Sequence, residues 1–357
     1  MLKRRLGRTN FLASVVGFGG ISIQHRSREE AVAVVRRAVE FGVNFVDTAR
    51  SYTDSEDKIG EAIQGLREKP FLSTKSHLRI KSSLAAHIEE SRRRLGVDKI
   101  DLYFLHGVDS EGEMERCLAR GGVLEAVKEA RGEGRVDFIG ISGHDNKVLA
   151  KAIRTGEFDV LLASYNLTND DAARELFPLA EELDVGVVVM KPLAGGSLAV
   201  PEEARRFRVA DKAVTTAATA LRFVLSNPRV STVIPGMATL AEVEENVPLG
   251  FTPQQMSAEE VDLMLQKAQS LGFTFCQGCG YCLPCCPEEI DIQAVFRLLS
   301  FHQQYGMVDY AQSSYRERHQ VKVLRCNECE LCMERCPAGL EIPVLLKRAN
   351  AVLGGDG

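Results

Sequence analysis

The chemistry easiest to read in this chain is that of sulfur. Cys276, Cys279, Cys282 and Cys286 follow the spacing C-x2-C-x2-C-x3-C and are closed by Pro287. Cys326, Cys329, Cys332 and Cys336 repeat that run and are closed by Pro337. A cubane iron–sulfur cluster needs four thiolates around a small cube. This is the bacterial ferredoxin spacing, in which a tight loop supplies three and a distant Cys-Pro the fourth. Two copies predict two 4Fe-4S clusters, with Cys286 completing the second and Cys336 the first, the usual crossover of two-cluster proteins. Zinc is the competing metal, but its structural sites use C-x2-C pairs set apart, whereas each run here crowds four cysteines into eleven residues. Cys285 competes with Cys286 as a ligand; Cys286 is preferred because it precedes proline, as Cys336 does. Ten cysteines in 357 residues are sparse for a disulfide scaffold. The charged start Met1-Leu2-Lys3-Arg4-Arg5 is followed by no apolar signal-peptide core. Cys117 stands alone and reads as a small buried apolar residue.

A second group of residues points to acid–base chemistry. Asp47, Tyr52, Lys75 and His106 fall at or just past the ends of successive apolar runs. A tyrosine titrating near pH 10 is a weak acid at neutral pH. A neighbouring ammonium favours its phenolate and lowers that value. An aspartate keeps the ammonium charged and oriented, and a histidine orients a carbonyl oxygen beside the phenol. Such a group can protonate the alkoxide formed when hydride adds to a carbonyl. Singly the residues say little: Asp47 could cap a helix, Tyr52 could be a loop aromatic, His106 a structural histidine. His144, after Ser142-Gly143, reads equally as a turn residue or a ligand contact. His25 is a candidate pocket residue.

The elements between these residues must bring them together. Apolar, β-rich runs occupy residues 15–19, 44–49, 71–75, 101–106, 138–142, 160–166, 186–191 and 231–235. Amphipathic stretches such as 27–41, 83–95, 122–131 and 213–226 lie between them. Ser27 with Glu30 forms a capping box at the head of the first. Continuously apolar strands, each followed by a helix, imply a parallel sheet covered on both faces. Eight such units in about 250 residues fit a (β/α)8 TIM barrel, whose strand C-termini open onto one face where the four polar residues can meet. Residues 2–6 and 11–13, flanking Gly7-Arg8-Thr9-Asn10, predict a hairpin able to plug the barrel's other end. The repeat ends near Leu249, and a polar linker with Pro253 follows. The predicted domains are a barrel over residues 1–255 and a helical ferredoxin-like domain over 256–357. Helices are expected at 257–271, with Ser257 as cap and Glu260 behind it, and at 292–302 and 342–352. The latter two separate and follow the cysteine loops.

The segments carrying the acid–base group resemble the tetrad segments of the aldo-keto reductases: Phe45-Val46-Asp47-Thr48-Ala49 with Tyr52, Ser73-Thr74-Lys75, and Leu102-Tyr103-Phe104-Leu105-His106. Leu6-Gly7-Arg8-Thr9, Val16-Gly17-Phe18-Gly19-Gly20, Ser55-Glu56, Ile139-Gly140-Ile141-Ser142, Met190-Lys191-Pro192-Leu193, Val233-Ile234-Pro235-Gly236 and Glu245-Asn246 extend the resemblance in order. The chain is similar to the branch that carries a C-terminal ferredoxin-like extension. The resemblance implies NAD(P)H bound at the barrel mouth without a Rossmann domain, and an aldehyde, ketone or alcohol as substrate. It also implies nucleotide contacts at Gly19, Gly20, Asp47, Ser142, Met190, Lys191, Pro192, Leu193, Gly195, Pro235, Gly236, Glu242, Glu245 and Asn246. Departures from the pattern are informative. Of the family's Ser-Asn pair and Gln for the nicotinamide carboxamide, only Ser142 remains; Gly143 and Leu162 stand at the other positions, and Met190 replaces a stacking aromatic. Gly236 and Glu242 stand where basic residues usually meet a 2′-phosphate, so NADH should bind at least comparably to NADPH.

Composition narrows the classes. The chain is 45% hydrophobic and 26% charged, with a net charge of −5. It reads as globular, with neither a nucleic-acid footprint nor an apolar run of membrane-spanning length; a cytoplasmic location is expected. Three functions fit: a nicotinamide-dependent carbonyl reductase or alcohol dehydrogenase, a protein passing electrons to a redox partner, and a regulatory protein whose clusters are structural. Clusters move single electrons and nicotinamide accepts a hydride, and no flavin motif is evident to join them. The acidic loop at residues 107–121 is expected to shape the pocket.

Overall fold

The computed structural model describes residues 1–24, 26–167, 169–194, 216–252, 256–270, 276, 282–304, 308–336 and 339–355. Of the residues singled out above, His25, Gly195, Pro253, Cys279 and Pro337 lie outside these.

Strands β1 (Lys3–Arg5) and β2 (Leu12–Ser14) pair antiparallel, joined through a short 3-10 turn at Gly7–Thr9. Gly7 has φ +50°, and a Cβ there would stand 2.2 Å from the Gly186 amide nitrogen. Only glycine allows both that backbone and that approach. The hairpin sets Leu6 and Ala13, with Phe11 against them, into the apolar cluster of Phe45, Phe71, Leu102, Phe104, Val160, Leu162 and Val188. It therefore closes one end of the barrel, as expected.

Eight strands follow: β3 (Phe18–Gly19), β4 (Phe45–Asp47), β5 (Phe71–Ser76), β6 (Ile100–Leu105), β7 (Val136–Gly143), β8 (Val160–Ser164), β9 (Gly186–Met190) and β10 (Thr232–Val233). They pair in parallel, each with the next in sequence. Bridges Val16–Val233 and Gly19–Gly236 join the last strand to the first segment. This is the expected parallel barrel. The first and last strands are shorter than the apolar runs implied. Pro235 has no N–H to extend β10, and β3 is preceded by a lone bridge at Val16 rather than a ladder. Inside, Gly140 leaves room for the Phe104 ring, whose nearest atom would lie 2.2 Å from a Cβ at that position.

The barrel helices are α1 (Arg28–Glu40), α2 (Ser55–Ile63), α3 (Lys81–Leu95), α4 (Glu111–Leu118), α5 (Val123–Gly132), α6 (Asn146–Arg154), α7 (Leu176–Glu182), α8 (Thr216–Ser226) and α9 (Leu240–Asn246). Helix α1 starts at Ser27 with the capping box to Glu30 formed in both directions. Helix α4 lies in the acidic loop, where no helix was expected; Ser110 caps it by accepting the Glu113 N–H, and Cys117 on it is buried. Helix α10 (Ala258–Ser270) has Ser257 and Glu260 paired at its head, and its Met264 is buried in the core shared with the barrel helices.

The remaining helices are α11 (Ile292–Gln304), α12 (Val308–Arg318), α13 (Gln320–Val323), α14 (Leu331–Glu334) and α15 (Ile342–Leu353). They share a separate core around Ile290, Val295, Tyr315, Leu346 and Leu353. The Tyr315 hydroxyl hydrogen-bonds Asn350 Oδ1 at 2.9 Å, tying α12 to α15. No helix among the described residues is long and apolar enough to cross a membrane.

Candidate functional site

The C-terminal ends of β4, β5 and β6 place Asp47, Lys75 and His106 side by side, with Tyr52 in the loop after β4. Asp47 and Lys75 are each only 2% exposed. The Lys75 ammonium is bonded to Asp47 Oδ2 and donates to the Thr48 carbonyl at 2.8 Å. Ser73 donates to the other Asp47 oxygen at 2.7 Å, and the same ammonium lies 5.1 Å from the centroid of the Tyr52 ring. Burial works against both charges, raising the Asp47 carboxyl above the usual range. Asp47 and Tyr52 outweigh burial at Lys75 and hold its ammonium on. A lone buried charge would cost several kcal/mol; here a bonded partner and a backbone carbonyl share it.

His106 completes this corner. Its ring centroid lies 6.3 Å from that of Tyr52, edge to face, and 3.6 Å from that of His77, stacked. Burial, then the charges of Lys75 and neighbouring groups, hold the imidazole well below its ordinary value, so it is neutral at pH 7. Its Nδ1 is buried with no hydrogen-bond partner among the described residues. An unpartnered buried group costs about 1–3 kcal/mol unless a ligand satisfies it. Arg79 holds the following loop, donating to the His106 carbonyl at 2.7 Å and to the Gly107 carbonyl at 3.1 Å.

The nicotinamide end implied by resemblance is built differently from the family's pattern. The Ser142 hydroxyl accepts the Gly107 N–H at 3.0 Å and donates to the Leu105 carbonyl at 3.3 Å, so it is engaged by the end of the neighbouring strand β6. A Cβ at Gly143 would stand 2.5 Å from the Val108 carbonyl oxygen, which leaves no room for an asparagine. Leu162 and Met190 face the apolar interior. At the mouth, Lys191 Nζ lies 2.9 Å from His144 Nε2, and His144 Nδ1 lies 3.2 Å from Asp109 Oδ2. Asp109, Asn166 and His77 were not singled out in the sequence. Only the topology brings Asp109, in an acidic run, beside His144.

The adenosine end is also distinctive. Gly236 faces Ser22, whose hydroxyl would be 2.1 Å from a Cβ there, so a longer side chain would clash. Glu242 is the third residue of its helix and closes a capping box with Thr239, accepting both the Ala238 and Thr239 amides. Glu245 is exposed; Asn246 is buried, and its Oδ1 has no partner among the described residues. Gly19, Gly20, Pro192 and Pro235 are buried and Leu193 half-buried.

In the helical region one cavity is lined by Cys286, Cys326, Cys329 and Cys332, with Pro287 and Pro343. Thus the last cysteine of the first run and three of the second line the same space. Among the described residues no three His, Cys, Asp or Glu side chains converge on a single-ion position; the thiols surround a space instead. Glu328 and Glu330, flanking Cys329, have φ +57° and +62°. A left-handed conformation at two non-glycine residues is costly and winds the loop tightly around that cavity. Burial first, then Cys285, Cys286 and Cys326, push the Cys332 thiol up to about 11. Cys285 Sγ points away, to the Cys282 and Leu331 carbonyls.

The family model of the aldo/keto reductase family matches residues 15–269, and that of the 4Fe-4S dicluster domain matches residues 275–341. L-galactose dehydrogenase of Arabidopsis thaliana is 30% identical over 313 residues, covering 75% of this chain and 95% of the relative. An aldo-keto reductase from Bacillus halodurans in its holo form is similar with a TM-score of 0.65 at 27% identity, over 75% of this chain and 96% of that one. A Klebsiella pneumoniae aldo-keto reductase in complex with NADPH gives a TM-score of 0.63 at 23% identity over 74% and 95%, a likeness of fold.

Proposed function

The chain belongs to the aldo/keto reductase family and carries a C-terminal 4Fe-4S dicluster domain, and from that premise we propose that it reduces a carbonyl, or oxidises the matching alcohol, at Asp47, Tyr52, Lys75 and His106. The observation that carries this reading is the buried Lys75–Asp47 pair with the centroid of the Tyr52 ring 5.1 Å from its ammonium. A bound nicotinamide would supply or accept the hydride. Tyr52 gives its phenol proton to the alkoxide oxygen, and Lys75 stabilises the phenolate left behind. Asp47 keeps Lys75 charged and aimed. Neutral His106 offers an N–H to the carbonyl oxygen and fixes its direction.

The dinucleotide fits at two places where this fold leaves polar atoms unsatisfied, His106 Nδ1 and Asn246 Oδ1. The Glu242 carboxylate stands where a 2′-phosphate would need a cation, and it already holds the first amides of its helix. NADH is therefore the expected partner, bound at least as well as NADPH. Cys286, Cys326, Cys329 and Cys332 would hold one 4Fe-4S cluster. Cys276, Cys282, Cys336 and Cys279 would hold a second, with a redox protein as the outlet for single electrons.

The test is Tyr52→Phe. Loss of a general acid lowers turnover by about 10²–10⁴, while NADH affinity and melting temperature stay near wild type. Wild-type turnover in that variant would remove the tetrad reading. The altered carboxamide contacts, Gly143 above all, favour one alternative: a protein that binds nucleotide and passes electrons through its clusters. In that case NADH reduces the clusters and Tyr52→Phe leaves the rate of their reduction unchanged.

A further inference from the structure

The loop that carries Tyr52 is closed on itself by a buried ion pair. Arg50 and Glu56 flank it in sequence, and Arg50 Nη1 donates to Glu56 Oε2 at 2.7 Å. Their side chains are 14% and 1% exposed. The other carboxylate oxygen, Glu56 Oε1, accepts the Thr74 hydroxyl at 2.7 Å. Thr74 precedes Lys75 on β5, and successive strand residues point to opposite faces. Lys75 therefore points to Asp47 on one side of the strand, and Thr74 to Glu56 on the other. The Arg50 amide donates to the Lys75 carbonyl at 3.0 Å. One ion pair thus holds both the loop of Tyr52 and the strand of Lys75.

The backbone inside the loop shows the same commitment. Thr53, directly after Tyr52, has φ +41°. A left-handed conformation at a β-branched residue is a true outlier, and it persists only where the surroundings over-determine it. The Thr53 hydroxyl donates to the Gln24 carbonyl at 3.1 Å. The Ser55 hydroxyl accepts from Thr48 at 2.9 Å and donates to the Gly20 carbonyl at 2.8 Å. Ser51, Thr53 and Asp54 are exposed, so burial does little to hold them; the hydrogen-bonded ends of the loop do. A buried ion pair adds little net stability over well-packed apolar residues. What this one supplies is a fixed geometry.

We infer that Arg50, Glu56 and Thr74 are positioning residues that set the separation between the Tyr52 phenol and the Lys75 ammonium. They act through Tyr52 and Lys75 and not on the reacting atoms. The Tyr52 ring centroid lies 5.1 Å from Lys75 Nζ, and an ammonium favours a phenolate only at such short range. A loop released at Arg50 or Glu56 would let the phenol drift away and lose its strength as an acid. This inference rests on the reading of the barrel as a carbonyl-reducing site.

The experiment labels the tyrosines of the full-length protein with 13C at the ring carbon that bears the hydroxyl. The protein is titrated with alkali in the absence of oxygen and read by NMR, with Tyr52→Phe assigning the Tyr52 signal. In the wild type Tyr52 is expected to ionise at lower pH than the other tyrosines, and Lys75→Met should remove that difference. Thr74→Val deletes one buried hydroxyl, and Glu56→Gln keeps the size of the side chain without its charge. Each should remove most of the difference while the barrel still unfolds in one transition. Glu56→Asp, which restores the charge on a shorter side chain, should recover part of it. If Glu56→Gln does not fold, Thr74→Val decides alone. A difference that survives Thr74→Val, with only the melting temperature lowered, overturns the inference and leaves the tetrad reading standing, because the pair would then serve stability alone. No difference in the wild type, or one that survives Lys75→Met, overturns the tetrad reading and this inference with it.

Discussion

The tetrad end of the barrel and the cysteine loops both present reactive side chains, but they hold them by different means. At the barrel, each group is fixed by other parts of the protein: Lys75 by Asp47 and the Thr48 carbonyl, Asp47 by Ser73, the His106 loop by Arg79. Those contacts come from adjacent strands of one closed sheet, and the closed sheet cannot shift one strand end without its neighbours. In the helical region four thiols line one cavity, and the loop of three of them carries two left-handed glutamates. Burial pushes the Cys332 thiol up, and a thiol must lose its proton to ligate a metal. The barrel site is held by hydrogen bonds among its own residues, whereas on the proposed reading the cysteine loops take their order from the cluster they would hold.

Cys332→Ala puts the largest strain on that comparison. Expected iron falls from about eight to about four per chain, and helical signal is lost from the C-terminal region while the barrel's unfolding transition stays in place. Unfolding of both regions together would show that the barrel leans on the clusters. Stoichiometric zinc without sulfide, in protein purified without oxygen, would end the cluster reading itself. Tyr52→Phe makes the complementary point, because a pre-organised site loses rate without losing its fold.

Glu242→Gln has a smaller expected effect. The amide keeps an acceptor for the Ala238 and Thr239 N–H groups and removes the carboxylate charge. Relative affinity for NADPH over NADH should rise about tenfold, measured by titrating both nucleotides at one ionic strength. An unchanged ratio would place the 2′-phosphate elsewhere.

The smallest effect is in pH. His87, His106 and His144 are all held below their ordinary value, burial being the first cause in each. The unfolded chain therefore takes up protons near pH 6.5 that the folded barrel refuses, so stability is intact above that pH and declines as pH falls below it. The buried His106 and His144 each contribute up to about 1.4 kcal/mol per pH unit in that window, and the more exposed His87 less. Urea unfolding between about pH 7 and pH 5 should show the decline, and His106→Asn should flatten it; an identical slope would mean that His106 is charged in the folded state.

Much of this was legible in the sequence because it is local. Cysteine spacing follows from the size of a cubane, and the Ser27–Glu30 box is a contact within one helical turn. Alternation of apolar runs with amphipathic helices implies a parallel sheet covered on both faces, and eight such units in about 250 residues fit a closed barrel better than an open sheet. Once the barrel is accepted, Asp47, Lys75 and His106 must share a face, since each ends a strand. The short helices α2, α4, α6, α7 and α9 were not singled out; seven to nine residues give little periodicity.

What only the tertiary structure decided is which residues meet across the sheet. Asp109, His144 and Lys191 lie far apart in the chain, and no spacing rule links them; neighbouring strand ends bring them together. Ser142 looked available by type, yet the backbone at the end of the preceding strand, β6, engages its hydroxyl. Glu242 read as a repulsive charge, and folding made it a helix cap as well. The sequence determined the inventory of reactive groups and the order of strands. Closure of the barrel decided their partners, because a hydrogen bond depends on distances of about 3 Å that only neighbouring strand ends can set.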